Sequence, residues 1–338
     1  MNAFARHMTR LLCCLICLMP CALQAQDSTV TLSPDAHVAL LTCQPGDILY
    51  ERYGHTGILI LDDAQGIQHV YHYGVFDFNT DHFYWKFVRG ETWYELGQAP
   101  LSYFAYPYRA QNRDIYVQWL RLSPEQKQTL WDALQVNYLP ENRKYLYNFV
   151  FDNCATRPWQ LILQAVGCPV TSAYTPDESL TYRRLLRRYT GAGSWADLGT
   201  NLLFGPRADR QMTIQDRLFL PEQLMLYLHH ATLPDGTPLV EQEYIAPFPE
   251  PRTPWYATWY FGVALFALIM LLLNLFDAGR HRRTRWVDYL LYTLYALLLI
   301  IVCFLRFFSI HPLVGFGPYL LIIPTIHLCT RLIYILRR

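Results

Sequence analysis

The chain has 338 residues, of which 52% are apolar and only 16% are charged, and its formal net charge is +1. A charge balance so close to neutral gives no electrostatic case for binding nucleic acid. Because globular proteins average about 25% charged residues, the deficit indicates a membrane protein.

The first 25 residues have the layout of a secretory signal peptide. Arg6 and Arg10 precede the apolar stretch LLCCLICLMPCAL, and Ala25 is the small residue at the predicted cleavage site. An N-terminal membrane anchor is less well supported, because a helix needs about 20 apolar residues to span a bilayer. The mature chain is therefore predicted to begin at Gln26, outside the cytoplasm.

Residues 26–252 are predicted to form an exported α+β domain. Its core covers residues 38–170, and a mostly helical extension follows at 171–230. β-branched and aromatic residues broken by the turns PGD and DDAQG predict strands over residues 36–90. A serine followed by a proline at the first helical position predicts a helix over 123–139.

Residues 253–338 are predicted to form a membrane domain with three spans, at 255–276, 286–305 and 318–336. The third is the weakest, because Pro324, His327 and Arg331 interrupt it. Arginines are concentrated in the loop DAGRHRRTR and at the end of the chain, and the positive-inside rule places both in the cytoplasm.

The segment YNFVFDNCATRPWQLILQAVG, residues 147–167, places a cysteine where a helix begins. Proline is tolerated only in the first turn of a helix, so Pro158 puts Cys154 at or just before the N-terminus. There the free N–H groups and the helix dipole favour a thiolate. Asp152 and Asn153 are suited to shaping the turn and capping the helix. Cys154 is therefore a candidate nucleophile, and a buried inert thiol is the alternative.

Three cysteines lie in the predicted exported domain: Cys43, Cys154 and Cys168. An odd number in an oxidising compartment leaves at least one unpaired within the chain. A disulfide between Cys43 and Cys168 is compatible with a free Cys154.

His55, at the head of an apolar strand, is the candidate base. If Leu61 pairs with Gly66 in a hairpin, His55 faces His72 across the two strands, which would complete a nucleophile, base and orienter. A register shift of one residue would replace His72 by Tyr71 or Tyr73 on that face, and the other candidates for the third position are Asp77 and His69.

The order of a strand histidine before a helix cysteine resembles circularly permuted papain-like thiol enzymes, including lecithin:retinol acyltransferase and permuted NlpC-type hydrolases. The motifs LLTCQPGDILYERYGHTGILI, VYHYGVFDF, YNFVFDNCATR and LFGPRADR…FLPEQL more closely resemble the N-terminal periplasmic domain of Lnb-type lipoprotein N-acyltransferases. The resemblance implies a circularly permuted papain-like thiol domain with a helical appendage, followed by three transmembrane helices. In that family Asn often occupies the position of His72.

The resemblance further implies a multi-pass protein of the inner membrane, with its catalytic domain in the periplasm and no cofactor. Its reaction would move a fatty acyl chain from a phospholipid, through a thioester on Cys154, to the N-terminal amine of a diacylated lipoprotein. Two alternatives stay open: a cell-envelope cysteine hydrolase acting on peptidoglycan or lipid, and a non-catalytic membrane-anchored module.

Several residues near these motifs are candidates for supporting roles. Tyr53 lies two residues before His55, and Arg157 follows Cys154 by about one helical turn. Arg157 is suited either to a substrate phosphate or carboxylate or to packing against Asp152. His311, in the outer loop between the second and third predicted spans, is a possible substrate contact.

Overall fold

The computed structural model describes residues 30–77, 79–175, 177 and 179–336. The chain divides into two compact units, residues 1–31 and residues 32–338. The helices and strands of the described residues all belong to the second unit. The predicted signal peptide lies outside the described residues.

The second unit is built on one large antiparallel sheet. Seven strands form it: β1 (His37–Cys43), β2 (His55–Asp62), β3 (Ile67–Val75), β4 (Trp93–Pro100), β5 (Ile115–Leu120), β6 (Lys144–Leu146) and β9 (Val240–Tyr244). Two short strands, β7 (Thr171–Ser172) and β8 (Ala231–Thr232), form a separate pair. The order across the sheet is β6-β4-β3-β2-β1-β5-β9. This arrangement confirms the predicted α+β class.

Ten α-helices are described: α1 (Phe83–Arg89), α2 (Leu101–Ala110), α3 (Pro124–Tyr138), α4 (Thr156–Val166), α5 (Tyr182–Thr190), α6 (Trp195–Leu203), α7 (Pro221–His229), α8 (Trp259–Gly279), α9 (Arg285–Phe308) and α10 (Ile322–Leu336). Helix α3 begins as predicted, since Ser123 caps it in a capping box with Gln126. Helix α1 lies inside the stretch 36–90 that was predicted as strands, so that part of the prediction is wrong.

The two faces of the sheet carry different cores. One face packs against α3, α4 and α7, and the larger core includes Ile58, Tyr71 and Ile162. The other face is covered by α2, whose Phe104 packs on Leu59. Side chains alternate between these faces along each strand, so residue parity decides which core a side chain enters.

The register of the β2–β3 hairpin differs from the predicted one. Asp62 pairs with Ile67 and Ile58 with Tyr71, so the loop holds four residues and ends at Gly66. Gly66 has φ +65°, a left-handed conformation that suits the turn and not a strand position. The shift relative to the predicted Leu61–Gly66 pair is two residues, and an even shift leaves every side chain on its predicted face.

Two of the described helices are long and apolar enough to cross a membrane, α8 with 21 residues and α9 with 24. In the most apolar 18-residue stretch of each helix, only 17% of α8 and 6% of α9 is buried inside the protein. Such broadly exposed apolar surface suits lipid and argues against a helical hairpin buried in a soluble core.

The predicted third span is wrong for the described residues. Helix α10 has 15 residues, and at 1.5 Å per residue that is about 22 Å, short of a hydrocarbon core about 30 Å thick. The preceding residues Pro318–Leu321 form a 3-10 helix. Helix α10 also carries Arg331, which donates to Asn274 of α8 at 2.8 Å and pairs with Asp288 of α9.

The loop that follows α9 is hydrogen-bonded to the sheet-containing domain at two places, and the first is the C-terminal end of α1. Ile310 N–H donates to the Arg89 carbonyl at 2.9 Å, and His311 Nε2 donates to the Phe87 carbonyl at 3.1 Å. Trp85 of α1 also packs on Phe304 of α9, with ring centroids 5.3 Å apart. Helix α1 is therefore attached to the domain-side end of α9.

The second attachment joins this loop to the end of α6. Gly205 N–H donates to the Leu313 carbonyl at 3.0 Å, and Gly315 N–H donates to the Leu203 carbonyl at 2.9 Å. A Cβ added at Gly205 would lie 2.7 Å from the Cα of Gly315, so the two backbones approach as closely as glycine allows.

Candidate active site

Cys154 lies immediately before the N-terminus of α4, as predicted from Pro158. Ala155 is the N-cap residue, and Pro158 is the third residue of the helix. The helix is capped from two positions before Ala155 by the buried Asn153. Its side-chain oxygen accepts from the N–H groups of Ala155 at 2.9 Å and Thr156 at 3.0 Å. Asn153 Nδ2 donates to the carbonyls of residues 149 and 219, which fixes the turn that presents the cysteine.

The Cys154 thiol is half-buried and free of any disulfide. Burial raises its pKa to about 12, although the backbone N–H groups of Thr56 and of Cys154 itself act in the opposite direction. The predicted thiolate is therefore wrong for the resting protein. Two of the helix N-terminal donors are already taken by Asn153, and the loss of solvation outweighs the donors that remain.

The imidazoles of His55 and His72 are in direct contact. Nε2 of His55 lies 3.0 Å from Nδ1 of His72, and the rings meet edge to face. Continuing the hairpin register places Gly74 beside His55, where an added Cβ would lie 2.7 Å from the imidazole Cε1. At Gly97 on β4 an added Cβ would lie 3.1 Å from His72 Nε2. Both rings thus occupy space that glycines leave open.

Both histidines are neutral at physiological pH. Burial, followed by the charges of His72 and Arg113, lowers the pKa of His55 to about 3. Burial lowers the pKa of His72 to about 4. Together with the raised thiol pKa of Cys154, this makes the three side chains of the candidate site uncharged at rest, so the use of Cys154 as a nucleophile would require its proton to leave the thiol.

The nucleophile and the base candidates approach the sheet from different sides. By strand alternation His55 and His72 point to the α2 face, where their rings lie 6.4 and 5.2 Å from that of Phe104. Helix α4 packs on the opposite face. Cys154 reaches the end of the sheet, where its sulfur lies within hydrogen-bonding reach of the Thr56 N–H. The sulfur therefore lies against the peptide that joins His55 to Thr56.

Asp152, Arg157 and Tyr53 lie around this centre and have structural partners. Arg157 donates to both carboxylate oxygens of Asp152, at 2.6 and 2.8 Å, and its guanidinium lies 3.8 Å from the ring centroid of Tyr145. This supports the packing alternative for Arg157. Tyr53 packs on Phe149 with ring centroids 4.8 Å apart, and burial raises its pKa to about 12.

The other candidates for the third position lie elsewhere. His69 has the opposite parity to His72 on β3 and so points away from His55. Asp77 accepts from the backbone N–H of Asn79 at 2.8 Å in the turn that follows β3. Cys43 and Cys168 are free, and they belong to the cores on opposite faces of the sheet, which rules out the disulfide.

An aromatic row runs from α1 to the thiol, and sequence reasoning missed it. Burial and then the charge of Cys154 raise the pKa of two of its members, Tyr94 and Tyr147. Successive ring centroids are 6.1, 5.9, 4.9 and 4.2 Å apart. In order from α1 the row is Phe87, Phe83, Phe76, Tyr94 and Tyr147. Phe87, on the helix attached to α9, is 49% exposed.

Within the described ranges, no group of three or more His, Cys, Asp or Glu side chains is placed to hold a metal ion.

Comparison with protein families gives a match for the first half of the chain. Residues 24–188 match the family model described as the Lnb N-terminal periplasmic domain, a range that includes Cys154, His55 and His72. No curated protein and no solved structure shows significant similarity to the chain. The match confirms the resemblance stated from the motifs. With the two long apolar helices, it supports a membrane-anchored protein with a periplasmic domain.

Proposed function

Residues 24–188 of this chain are an Lnb N-terminal periplasmic domain, and from that premise we propose that the protein is a membrane-bound thiol acyltransferase. It takes a fatty acyl chain from a phospholipid onto Cys154 and passes it to the N-terminal amine of a diacylated lipoprotein at the inner membrane. The observation that carries the proposal is the position of the Cys154 sulfur against the His55–Thr56 peptide, with His72 bonded to His55.

In the first half-reaction the Cys154 sulfur attacks the ester carbonyl carbon while its proton passes to His55. Nε2 of His55 is engaged by His72, so Nδ1 is the nitrogen that takes the proton. The carbon–oxygen bond of the ester then breaks, and His55 returns the proton to the departing glycerol oxygen. The products are a lysophospholipid and an acyl thioester on Cys154.

In the second half-reaction the α-amine of the lipoprotein attacks the thioester carbon and gives a proton to His55. The carbon–sulfur bond breaks, and Cys154 recovers its proton as a thiol. Backbone N–H groups of Cys154 and Thr56 already point at the sulfur, so both are within reach of the oxyanion that forms on the adjacent carbon.

The surroundings of the thiol favour a lipid substrate and an amine acceptor. The aromatic row offers an apolar wall along which an acyl chain can lie, and it begins on α1, which packs against α9. The reduced solvation of the sulfur limits the water that can reach a thioester there, and this favours transfer over hydrolysis. Holding donor and acceptor in one bilayer supplies the remaining positioning.

The test is complementation of a strain that lacks its lipoprotein N-acylation enzyme, with mass spectrometry of a lipoprotein's N-terminal peptide. The intact chain should add one acyl chain to the N-terminal amine. Cys154→Ala and His55→Ala should abolish that product, whereas Cys168→Ala, at a free cysteine beside the core, should leave it in place.

Release of free fatty acid without an acylated amine would instead identify a hydrolase. An acylated product that survives Cys154→Ala would contradict the thiol mechanism.

A further inference from the structure

A cavity of about 320 Å³ lies where the outer loop meets the end of α6. Its lining includes two arginines from distant parts of the chain, Arg207 after α6 and Arg306 near the end of α9. Gly205 and Gly315 also line it, and their backbones approach closely: an added Cβ would lie 2.7 Å from the Gly315 Cα if placed at Gly205, and 3.2 Å from the Gly205 Cα if placed at Gly315. Phe316 supplies an apolar wall.

The two arginines differ from others in this region. Arg183 is buried and bonds to Asp209 at 2.6 Å, and Arg187 pairs with the fully buried Asp197 at 3.0 Å. Among the described residues, no carboxylate forms an ion pair with Arg207 or Arg306. Two cations on one cavity without a counter-ion are suited to an anionic ligand, and arginine matches phosphate oxygens best.

The cavity lies at the end of α9 that is next to the periplasmic domain. Helix α9 begins at Arg285, beside the arginine-rich loop, and Arg306 stands at its other end, where the loop is bonded to the periplasmic domain. Arginine at that end of a span is unusual under the positive-inside rule. A lipid headgroup at the outer surface carries the negative charge that these two arginines would attract.

We propose that Arg207 and Arg306 form a binding site for the phosphate of a membrane phospholipid, the acyl donor. The proposal rests on the proposed function and deepens it by naming the feature of the donor that is recognised. The diacylglyceryl group of a lipoprotein has no phosphate, so this site distinguishes donor from acceptor. Phe316 and the closely approaching Gly205 and Gly315 line the cavity beside the two arginines, so the headgroup would bind at one place and not through diffuse attraction to the bilayer.

The test uses the full chain carrying Cys154→Ala, so that lipid binds without reacting. Binding of fluorescent phosphatidylglycerol is compared with that of diacylglycerol bearing the same acyl chains, in uncharged detergent micelles. Phosphatidylglycerol should bind at least about tenfold more tightly, because charge-assisted contacts to phosphate are worth that much. Adding Arg207→Gln with Arg306→Gln should remove the difference.

Matched variants separate this site from general effects. Arg121→Gln alters an exposed arginine that donates to the Pro238 carbonyl and should keep the preference for phosphatidylglycerol. Arg207→Lys and Arg306→Lys retain charge without the planar fork and should show an intermediate preference.

A preference unchanged by the glutamine substitutions would overturn the site, and so would inorganic phosphate binding there while phosphatidylglycerol gains nothing over diacylglycerol. Because the binding chain lacks the nucleophile, either result overturns this site alone. Absent acyl transfer by the intact chain overturns the proposed function, and with it the identification of the bound phospholipid as the acyl donor, while the phosphate site itself is judged by the binding assay.

Discussion

Nε2 of His55, the first residue of β2, lies 3.0 Å from Nδ1 of His72, which is near the end of the antiparallel neighbour β3. The contact is diagonal across the hairpin and is made possible by the glycine beside His55. It occupies Nε2 of His55 and leaves Nδ1 without that partner. In the proposed mechanism Nδ1 takes the thiol proton, and His72 is a positioning residue that fixes the ring and the tautomer of the base.

Substitutions at His72 test that role. His72→Asn keeps a carbonyl oxygen that can accept from Nε2–H, so acyl transfer should fall by less than about tenfold. His72→Ala removes the partner, and kcat should fall about 100-fold because the base is no longer oriented. The measurement is the rate of N-terminal acylation as a function of pH. If His72→Asn and His72→Ala lose activity equally, hydrogen bonding at this position is not what His72 provides.

Gly74→Ala tests the packing of His55. The new Cβ would lie 2.7 Å from the imidazole Cε1, so the ring must move. We expect acyl transfer to fall at least about tenfold and stability to fall by about 1–3 kcal/mol. Gly199→Ala is the control, because no atom lies within 4 Å of its added Cβ and alanine favours its helix. The readouts are transfer rate and thermal unfolding, and full activity in Gly74→Ala would contradict this account of the His55 position.

Alkylation tests the protonation state of Cys154. Burial raises the pKa of this thiol to about 12, so at pH 7 its thiolate fraction should be about 3,000-fold below that of a free cysteine of pKa about 8.5. The rate with iodoacetamide should rise about tenfold per pH unit through the alkaline range. Mass spectrometry of the peptide containing Cys154 measures it, with Cys154→Ala as the blank. Rapid labelling at pH 6 would mean that the sulfur is already ionised.

Acid should destabilise the protein through the two histidines. Their folded pKa values are about 3 and about 4, below an unfolded value of about 6.5. Below pH 6.5 the unfolded state therefore binds more protons, and stability falls as pH falls. The slope should be about 1.4 kcal/mol per pH unit for each histidine.

Thermal unfolding in detergent between pH 6.5 and pH 4.5 measures this loss, since most carboxylates titrate lower. His72→Asn should remove about half of the slope. A flat profile over that range in the unmodified chain would contradict the buried neutral histidines.

Asn153→Ala tests the turn that presents the nucleophile. Asn153 is 2% exposed, caps α4 and donates to two carbonyls. Its loss removes a cap and leaves buried carbonyls unpaired, for an expected cost of about 2–4 kcal/mol in the free energy of unfolding. Ser194→Ala removes an ordinary cap from α6 and should cost about 1 kcal/mol. If both variants lost the same free energy of unfolding, Asn153 would contribute to stability only as a helix cap.

Local rules predicted much of the site. Proline at 158 located the start of α4, and the serine at 123 located the start of α3, because both act within one helical turn. The pairing of His55 with His72 was predicted from an incorrect register. The prediction that both side chains lie on the same face of the sheet was still correct. The register error was two residues, and an even shift leaves each side chain on its face.

Features that depend on distant residues were not predictable in this way. The segment HFYWKFVRG has the composition of a strand, yet it forms α1, where its aromatic side chains contact α9 and the aromatic row. The high thiol pKa of Cys154 follows from burial among Tyr94, Tyr145 and Tyr147, which no single stretch of sequence contains. The helix dipole was visible in the sequence, and the loss of solvation that opposes it was not.

The loop after α9 joins the membrane helices to the sheet-containing domain through four hydrogen bonds. Their partners in the domain are Leu203, Gly205, Phe87 and Arg89. A soluble fragment ending before α8 would lose the partners of all four backbone groups and uncover the aromatic side of α1. Such a fragment would present a different surface on α1, so tests of the proposed acyl transfer belong on the whole chain.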